Sequence, residues 1–177
     1  SGGSTPTLGI LGRLGGLGAR PEMIGYVSDG DGALAALAIA VKLLEMKKKG
    51  DVLPGDIFIS THICPDAPTK PHDPVPFMGS PVETYQVNQE EVSPELDAIF
   101  NSIMQPCTCT DAPVVGVAIT TETMVPGCAT GCSHFADVEE AARFVLEAAK
   151  SYGRGEFEFY DKAEFERMVE LYGSMKR

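Results

Sequence analysis

Tyr26-Val-Ser-Asp-Gly-Asp-Gly32 leads into Ala33-Leu-Ala-Ala-Leu-Ala-Ile-Ala-Val-Lys-Leu-Leu-Glu-Met46, then Lys47-Lys-Lys-Gly50 and Asp51-Val-Leu-Pro-Gly55. The stretch closes on Asp56-Ile-Phe-Ile-Ser-Thr-His-Ile-Cys-Pro-Asp-Ala-Pro68. In order these are an acidic turn, an apolar helix, a cationic stop, a turn, a strand and a second polar cluster. A right-handed crossover of this kind carries the turn before the helix to the C-terminal end of the following strand. Open α/β sheets bind their ligands there. The spacing therefore predicts one crevice shared by Asp29 and Asp31 with His62, Cys64 and Asp66.

The helix is expected over Gly32 to Lys49, since Ala, Leu, Glu, Met and Lys are strong helix formers. Its first half, Ala33 to Val41, is apolar all round and is expected to lie buried between layers. Asp29 and Asp31 also stand where an N-cap would, so capping competes with a ligand role for each. Lys47 to Gly50 has the form of a helix C-terminus. Asp56 to Ile63 reads as a strand buried on both faces, as in a parallel sheet.

Outside this unit, Thr7–Leu11 and Ile24–Val27 read as short strands. Between them, Gly12-Arg-Leu-Gly-Gly-Leu-Gly18 has the glycines of a phosphate loop, but Pro21 follows in place of a helix start. Residues 64–81 hold six prolines and read as a stiff extended loop containing His72. Val82–Val92 suggests an edge strand, and Ser93-Pro-Glu95 suggests a capped helix continuing through Ile99. Val114–Thr120 is an apolar strand. An amphipathic helix is expected over Val138–Ser151, a short strand at Phe157–Tyr160 and a closing helix over Asp161–Tyr172. Strands alternating with helices predict one α/β domain with a mainly parallel sheet.

Composition narrows the function. At 177 residues the chain is long enough for one domain with a substantial core. A net charge of −11 disfavours nucleic acid and anionic lipid as partners. No apolar run approaches the ~20 residues of a membrane helix, so no membrane partner is expected. The first residues carry no signal-like core, which makes a cytoplasmic protein the expectation. Five cysteines, an odd number, argue against a disulfide framework. Cys107 with Cys109 and Cys128 with Cys132 leave a thiolate zinc site, a thiol nucleophile near His134, or small buried residues as alternatives.

Asp29, Asp31, His62, Asp66, His72 and His134 make up a carboxylate–imidazole set suited to zinc, manganese or cobalt. With one coordination position left to water, such a set performs hydrolysis.

Several sequence words run through nearly the whole chain. They are Gly-Arg-Leu-Gly-Gly-Leu-Gly-Ala-Arg-Pro-Glu at 12–22, Gly-Tyr-Val-Ser-Asp-Gly-Asp-Gly at 25–32 and Thr-His-Ile-Cys-Pro-Asp-Ala-Pro at 61–68. Pro-Val-Pro-Phe-Met-Gly-Ser-Pro-Val at 74–82 and Val-Pro-Gly-Cys-Ala-Thr-Gly at 125–131 complete the set. With them the chain resembles an uncharacterised prokaryotic family, domain of unknown function 1177. More distantly it resembles the zinc-dependent aminopeptidase and carboxypeptidase superfamily. That resemblance implies a mainly parallel or mixed sheet with helices on both faces, zinc-exopeptidase-like. It implies Asp29 as bridging aspartate, Asp66 as second acid and His134 as late histidine. Asp31, His62, Cys64 and His72 stand beside them as secondary candidates on their own chemistry and position. Arg13 would hold a substrate carboxylate. The pattern departs at Arg13-Leu-Gly15, which stands in place of the first His-x-Asp, and at Pro65, which stands in place of the general base.

The expected protein is a metal-dependent hydrolase of a small amide or peptide substrate, using zinc, or manganese or cobalt. The alternative is an inactive member of the same fold that binds a small molecule or forms a homo-oligomer. The resemblance also implies longer relatives, with a segment before residue 1 and another near Phe100-Asn101.

Overall fold

In a computed structural model the described residues are 5–12, 31–62, 68–71, 77–78, 82–92, 95–101, 109–117 and 135–174. Strand β1 (Thr7–Gly12) is followed by helix α1 (Asp31–Lys48) and strand β2 (Asp56–Thr61). Next come the two-residue strands β3 (Thr69–Lys70) and β4 (Phe77–Met78), helix α2 (Thr84–Glu91) and strand β5 (Ala98–Asn101). Strand β6 (Val114–Gly116) and helices α3 (Phe135–Gly153) and α4 (Lys162–Tyr172) complete the order. β1, β2, β5 and β6 form one sheet in the order β2-β1-β5-β6, and every pairing in it is parallel. β3 and β4 pair as a separate antiparallel ribbon.

Helices cover both faces. On one, Leu8, Ile10, Ala98 and Phe100 of the sheet pack against Ile39 of α1 and Val145, Ala148 and Ala149 of α3. On the other, Leu11 and Ile99 pack against Val92, the residue that ends α2. This α/β architecture with a parallel sheet is the one that strand and helix alternation predicted. The chain moves outward from β1 to β2 over α1, then returns past β1 to β5 and β6. Crossovers of one hand that progress in opposite directions put their helices on opposite faces, so α1 and α2 lie on different sides.

Five local expectations give way. β2 is an edge strand whose residues are exposed or half-buried, not a strand buried on both faces. Val82–Val92 forms helix α2, not an edge strand. Its inward residues Val87, Asn88, Glu91 and Val92 recur at helical spacing, which lets that one side seal the sheet. The helix expected from Ser93 through Ile99 is replaced at its end by β5, all four of whose residues are buried. A short strand buried on both faces has no periodicity to distinguish it from a helix. Phe157–Tyr160 forms no strand; Phe159 stacks instead on Phe100 with ring centroids 4.6 Å apart and on Tyr152 at 5.0 Å. Finally, the first half of α1 is buried on one side only. Ala33, Ala36 and Ile39 face the sheet, while Leu37 and Val41 are 52% and 57% exposed.

Gly12 sets how closely α1 lies on β1. A Cβ there would sit 2.2 Å from the Gly32 carbonyl oxygen and 2.5 Å from the Ala36 Cβ, so only glycine admits this approach. β5 runs in consecutive register with β1 from Leu8↔Ala98 to Leu11↔Asn101, straight through the Phe100–Asn101 pair. The strand expected at Ile24–Val27 lies outside the described residues.

Candidate functional site

Because the four sheet strands are parallel, their C-terminal ends share one edge. Gly12 ends β1, Thr61 ends β2, Asn101 ends β5 and Gly116 ends β6. Register fixes their order: Gly12 lies opposite Thr61, Leu11 opposite Asn101, and Asn101 opposite Gly116. The direction of winding reverses between β1 and β5. A reversal leaves a crevice at the strand ends, since the loops on either side lead away from each other. Beneath it lies an apolar gap of about 30 Å³ bordered by Gly12, Gly32 and Ala36 together with Ile39, Phe100 and Val145, with Asn101 as its polar member.

Two buried oxygens at this edge have no hydrogen-bond partner among the described residues. They are Asn101 Oδ1, on a residue 5% exposed, and Thr61 Oγ1. An unmet acceptor in a dry place costs roughly 1–3 kcal/mol, so each calls for a partner beyond the described residues. The Asn101 backbone is satisfied, its carbonyl accepting from Val117 N–H at 2.8 Å.

One step outward, His62 follows β2 and turns Nδ1 towards Oε1 of Glu91 on α2, 3.4 Å away. The Glu91 side chain is 6% exposed and that of His62 33%. With Ser60 and Gln86 they line an open cavity of about 620 Å³. Glu91 and Asn88, one helical turn apart, are both buried. α2 thus presents polar groups where most helices present apolar ones.

The candidate residues read from the sequence divide accordingly. His62 is the one whose side chain is described, and it pairs with Glu91. Asp31 is the first residue of α1, beside the C-terminal end of β1. Arg13, Asp29, Cys64, Asp66, His72 and His134 lie outside the described residues. Each except His72 falls in a segment that directly follows a sheet strand at the edge above: 13–30 after β1, 63–67 after β2 and 118–134 after β6. Among the described residues no three His, Cys, Asp or Glu side chains come together as a metal-binding group. Cys109 is half-buried in the α2-side core, its thiol 3.9 Å from the Tyr85 carbonyl; its expected partners Cys107, Cys128 and Cys132 lie outside the described residues.

Sequence reasoning missed Glu91, Asn101 and Thr61. Glu91 was hidden because its segment reads as a strand, which would turn alternate residues outward. Asn101 did carry a signal, being the polar residue that closes the apolar run Ala98-Ile-Phe100.

Together the winding and the edge define a doubly wound parallel α/β protein with helices on both faces and a crevice at its strand reversal. The chain belongs to the family described as protein of unknown function (DUF1177), whose model matches residues 1–101 and 99–177. The two matched stretches meet inside β5. No curated protein and no solved structure matches the chain. Among the described residues no helix is long and apolar enough to cross a membrane.

Proposed function

We propose that the protein is a divalent-metal-dependent hydrolase of a small amide or peptide, working at the C-terminal edge of its sheet. The observation that carries this reading is topological. The segments bearing Asp29, Asp66 and His134 follow β1, β2 and β6, and those strands end on one edge around a winding reversal. A metal held by such a carboxylate–imidazole set, zinc or else manganese or cobalt, supplies Lewis acidity and an activated water. The chain's own part is to bind and orient substrate. Arg13, directly after β1, is suited to a substrate carboxylate, and Asn101 Oδ1 is suited to accept from a substrate N–H. The zinc-exopeptidase likeness belongs to this reading and rests on the sequence pattern.

The test is the metal content of protein purified without chelator or nickel resin, for wild type and Asp29→Ala. About one or two equivalents in wild type, lost in the variant and accompanied by amide hydrolysis that chelation abolishes, is the expected result. No metal in either, with the fold intact by circular dichroism, overturns it.

A second reading follows from Pro65, which stands where the resemblance puts the general base. Proline cannot take a proton, so a non-catalytic protein binding a small molecule in the same crevice fits that substitution. Self-association is part of both readings. Leu37, Val41 and Leu44 form an outward apolar stripe on α1, 52–59% exposed, next to edge strand β2. α1 starts on an aspartate and ends on Lys47 and Lys48, so antiparallel packing of two copies opposes unlike helix ends. Sedimentation of wild type against Val41→Glu checks this, with a dimer in the first and a monomer in the second.

A further inference from the structure

Strand β2 closes one side of the sheet, with β1 as its one strand neighbour among the described residues. Its residues, Asp56-Ile-Phe-Ile-Ser-Thr61, include neither proline nor lysine, which natural proteins use to blunt such an edge. An unblunted edge is a template for a further strand. The helix above it matches. Ala35 and Ile39 of α1 border the same gap as Ala141 and Val145 of α3. At about 100° of turn per residue, Leu37, Val41 and Leu44 fall on the opposite flank of α1. There Leu44 borders an apolar groove of about 520 Å³ with Ile57 and Ile59 of β2. Three half-exposed side chains offer a few hundred Å², short of the about 800 Å² per partner of a stable interface, so the stripe needs the edge beside it to make one.

The stripe and the strand also share a midpoint. Gly12 pairs with Thr61, and a Cβ on Gly12 would meet Gly32 and Ala36, so the turn between those two lies level with Thr61. Val41 is about seven residues further along α1, ~10 Å at the helical rise, a length that about three residues of strand cover. Because α1 runs back against the strand direction, Val41 lies level with Phe58, near the middle of β2.

We propose that a second copy of the chain takes this face, its β2 pairing antiparallel with the first β2 about a two-fold axis normal to the sheet. Two four-stranded sheets then form one continuous sheet. Such an axis leaves each face of the sheet on its own side, so residues directly opposite must share a face. Ile57 and Ile59 turn to the α1 side and Phe58 to the α2 side. The register is therefore centred on a residue, and the level of Val41 makes that residue Phe58. Phe58 faces Phe58, and Ile57 faces Ile59. The helices follow. α1 packs over β1 and β2, so its two copies run antiparallel about two strand spacings apart, ~10 Å, the distance at which helices pack. Val41 meets Val41, Leu37 meets Leu44, and the lysines that end one helix lie by the start of the other. The self-association proposed with the function is the premise of this pairing; the hydrolytic reading is not.

The experiment is oxidative cross-linking of the full chain carrying Phe58→Cys, beside wild type and Ser60→Cys, with sedimentation of each. Across the two-fold, residues at 58 stand ~5 Å apart, within disulfide reach, and residues at 60 ~13 Å apart, outside it. The expected result is a dithiothreitol-sensitive band at twice the 18.8 kDa chain mass in Phe58→Cys, beyond any in the other two. Amide exchange on unsubstituted protein covers a Phe58→Cys that fails to fold. The β2 amides should exchange on the order of tenfold more slowly in the wild-type dimer than in Val41→Glu. Dimeric wild type with no such band from folded Phe58→Cys, or with Ser60→Cys cross-linked equally, overturns the β2 pairing and leaves association through α1 standing. Equal β2 exchange in dimer and monomer does the same. A wild-type monomer overturns both and leaves the edge to a strand of another protein.

Discussion

Gly12 lies under the first turn of α1, and replacing it with alanine gives the sharpest test of the packing. The new methyl would stand 2.2 Å from a backbone oxygen, that of Gly32, and 2.5 Å from the Ala36 Cβ. Neither group can rotate aside, since one is main chain and the other has no χ angle. Relief requires the start of α1 to lift from β1 by about 1 Å, a gap that forfeits a quarter to a half of each dispersion contact it opens. Overpacking typically costs 1–3 kcal/mol, and a clash with rigid atoms belongs at or above ~3. Two other glycines calibrate the number. At Gly9 the nearest atom is Leu96 Cδ1 at 2.7 Å, the end of a flexible side chain, so alanine there should cost about 1 kcal/mol. At Gly116 nothing lies within 4 Å, and alanine should stabilise by about 0.4–1 kcal/mol through the unfolded chain. Urea unfolding at 25 °C of the three variants should rank them in that order, and thermal unfolding should show Gly12→Ala losing roughly 6–12 °C in Tm. Finding Gly12→Ala within ~0.5 kcal/mol of Gly116→Ala would refute the close approach of α1 to β1. The same lift displaces the helix start at the crevice, so under the proposed metal-dependent reading metal affinity should fall alongside stability.

Phe100→Ala removes a buried ring that packs on Phe159 and, edge-on at 6.3 Å, on Phe144; urea unfolding should show a loss of about 3–5 kcal/mol. Asp161 caps α4 by accepting from Glu164 N–H at 2.9 Å, and α4 buries no residue fully. Asp161→Ala should therefore cost ~1 kcal/mol, seen as faster amide exchange confined to that helix. Burial, reinforced by Tyr160 and Asp97, pushes the Tyr152 hydroxyl up to about 12 from its ordinary 10.0. The native state thus holds this proton after the unfolded chain has released it. The stability it contributes is complete below pH 10 and fades between pH 10 and 12, so Tyr152→Phe should flatten that part of an alkaline unfolding profile. Arg143 pairs with Glu139 on the exposed side of α3, and a double-mutant cycle should return no more than about 0.5 kcal/mol, vanishing in high salt.

Much of the frame was legible in local sequence. α1, α3 and α4 declare themselves by helix-forming residues at helical spacing and by end signals such as the lysines at 47 and 48 and the cap at Asp161. β1 and β2 show as short apolar runs bounded by glycine and proline, and their alternation with helices is enough for a parallel sheet. These features depend on neighbours within a few residues, so the sequence alone determines them. The rest depends on residues far apart in the chain. β5 is a strand because β1 and β6 flank it and α2 and α3 cover it, none of which its four apolar-to-polar residues announce. α2 is a helix because the sheet takes the one side on which Val87, Asn88, Glu91 and Val92 gather. Half of α1 faces outward because the sheet occupies only one of its sides. At the site, sequence picked out His62 by its chemistry and its position at a strand end. Its tie to Glu91 came only from tertiary structure, because a buried carboxylate finds its donor wherever the crossing of α2 over β2 brings one, and no local pattern records that crossing.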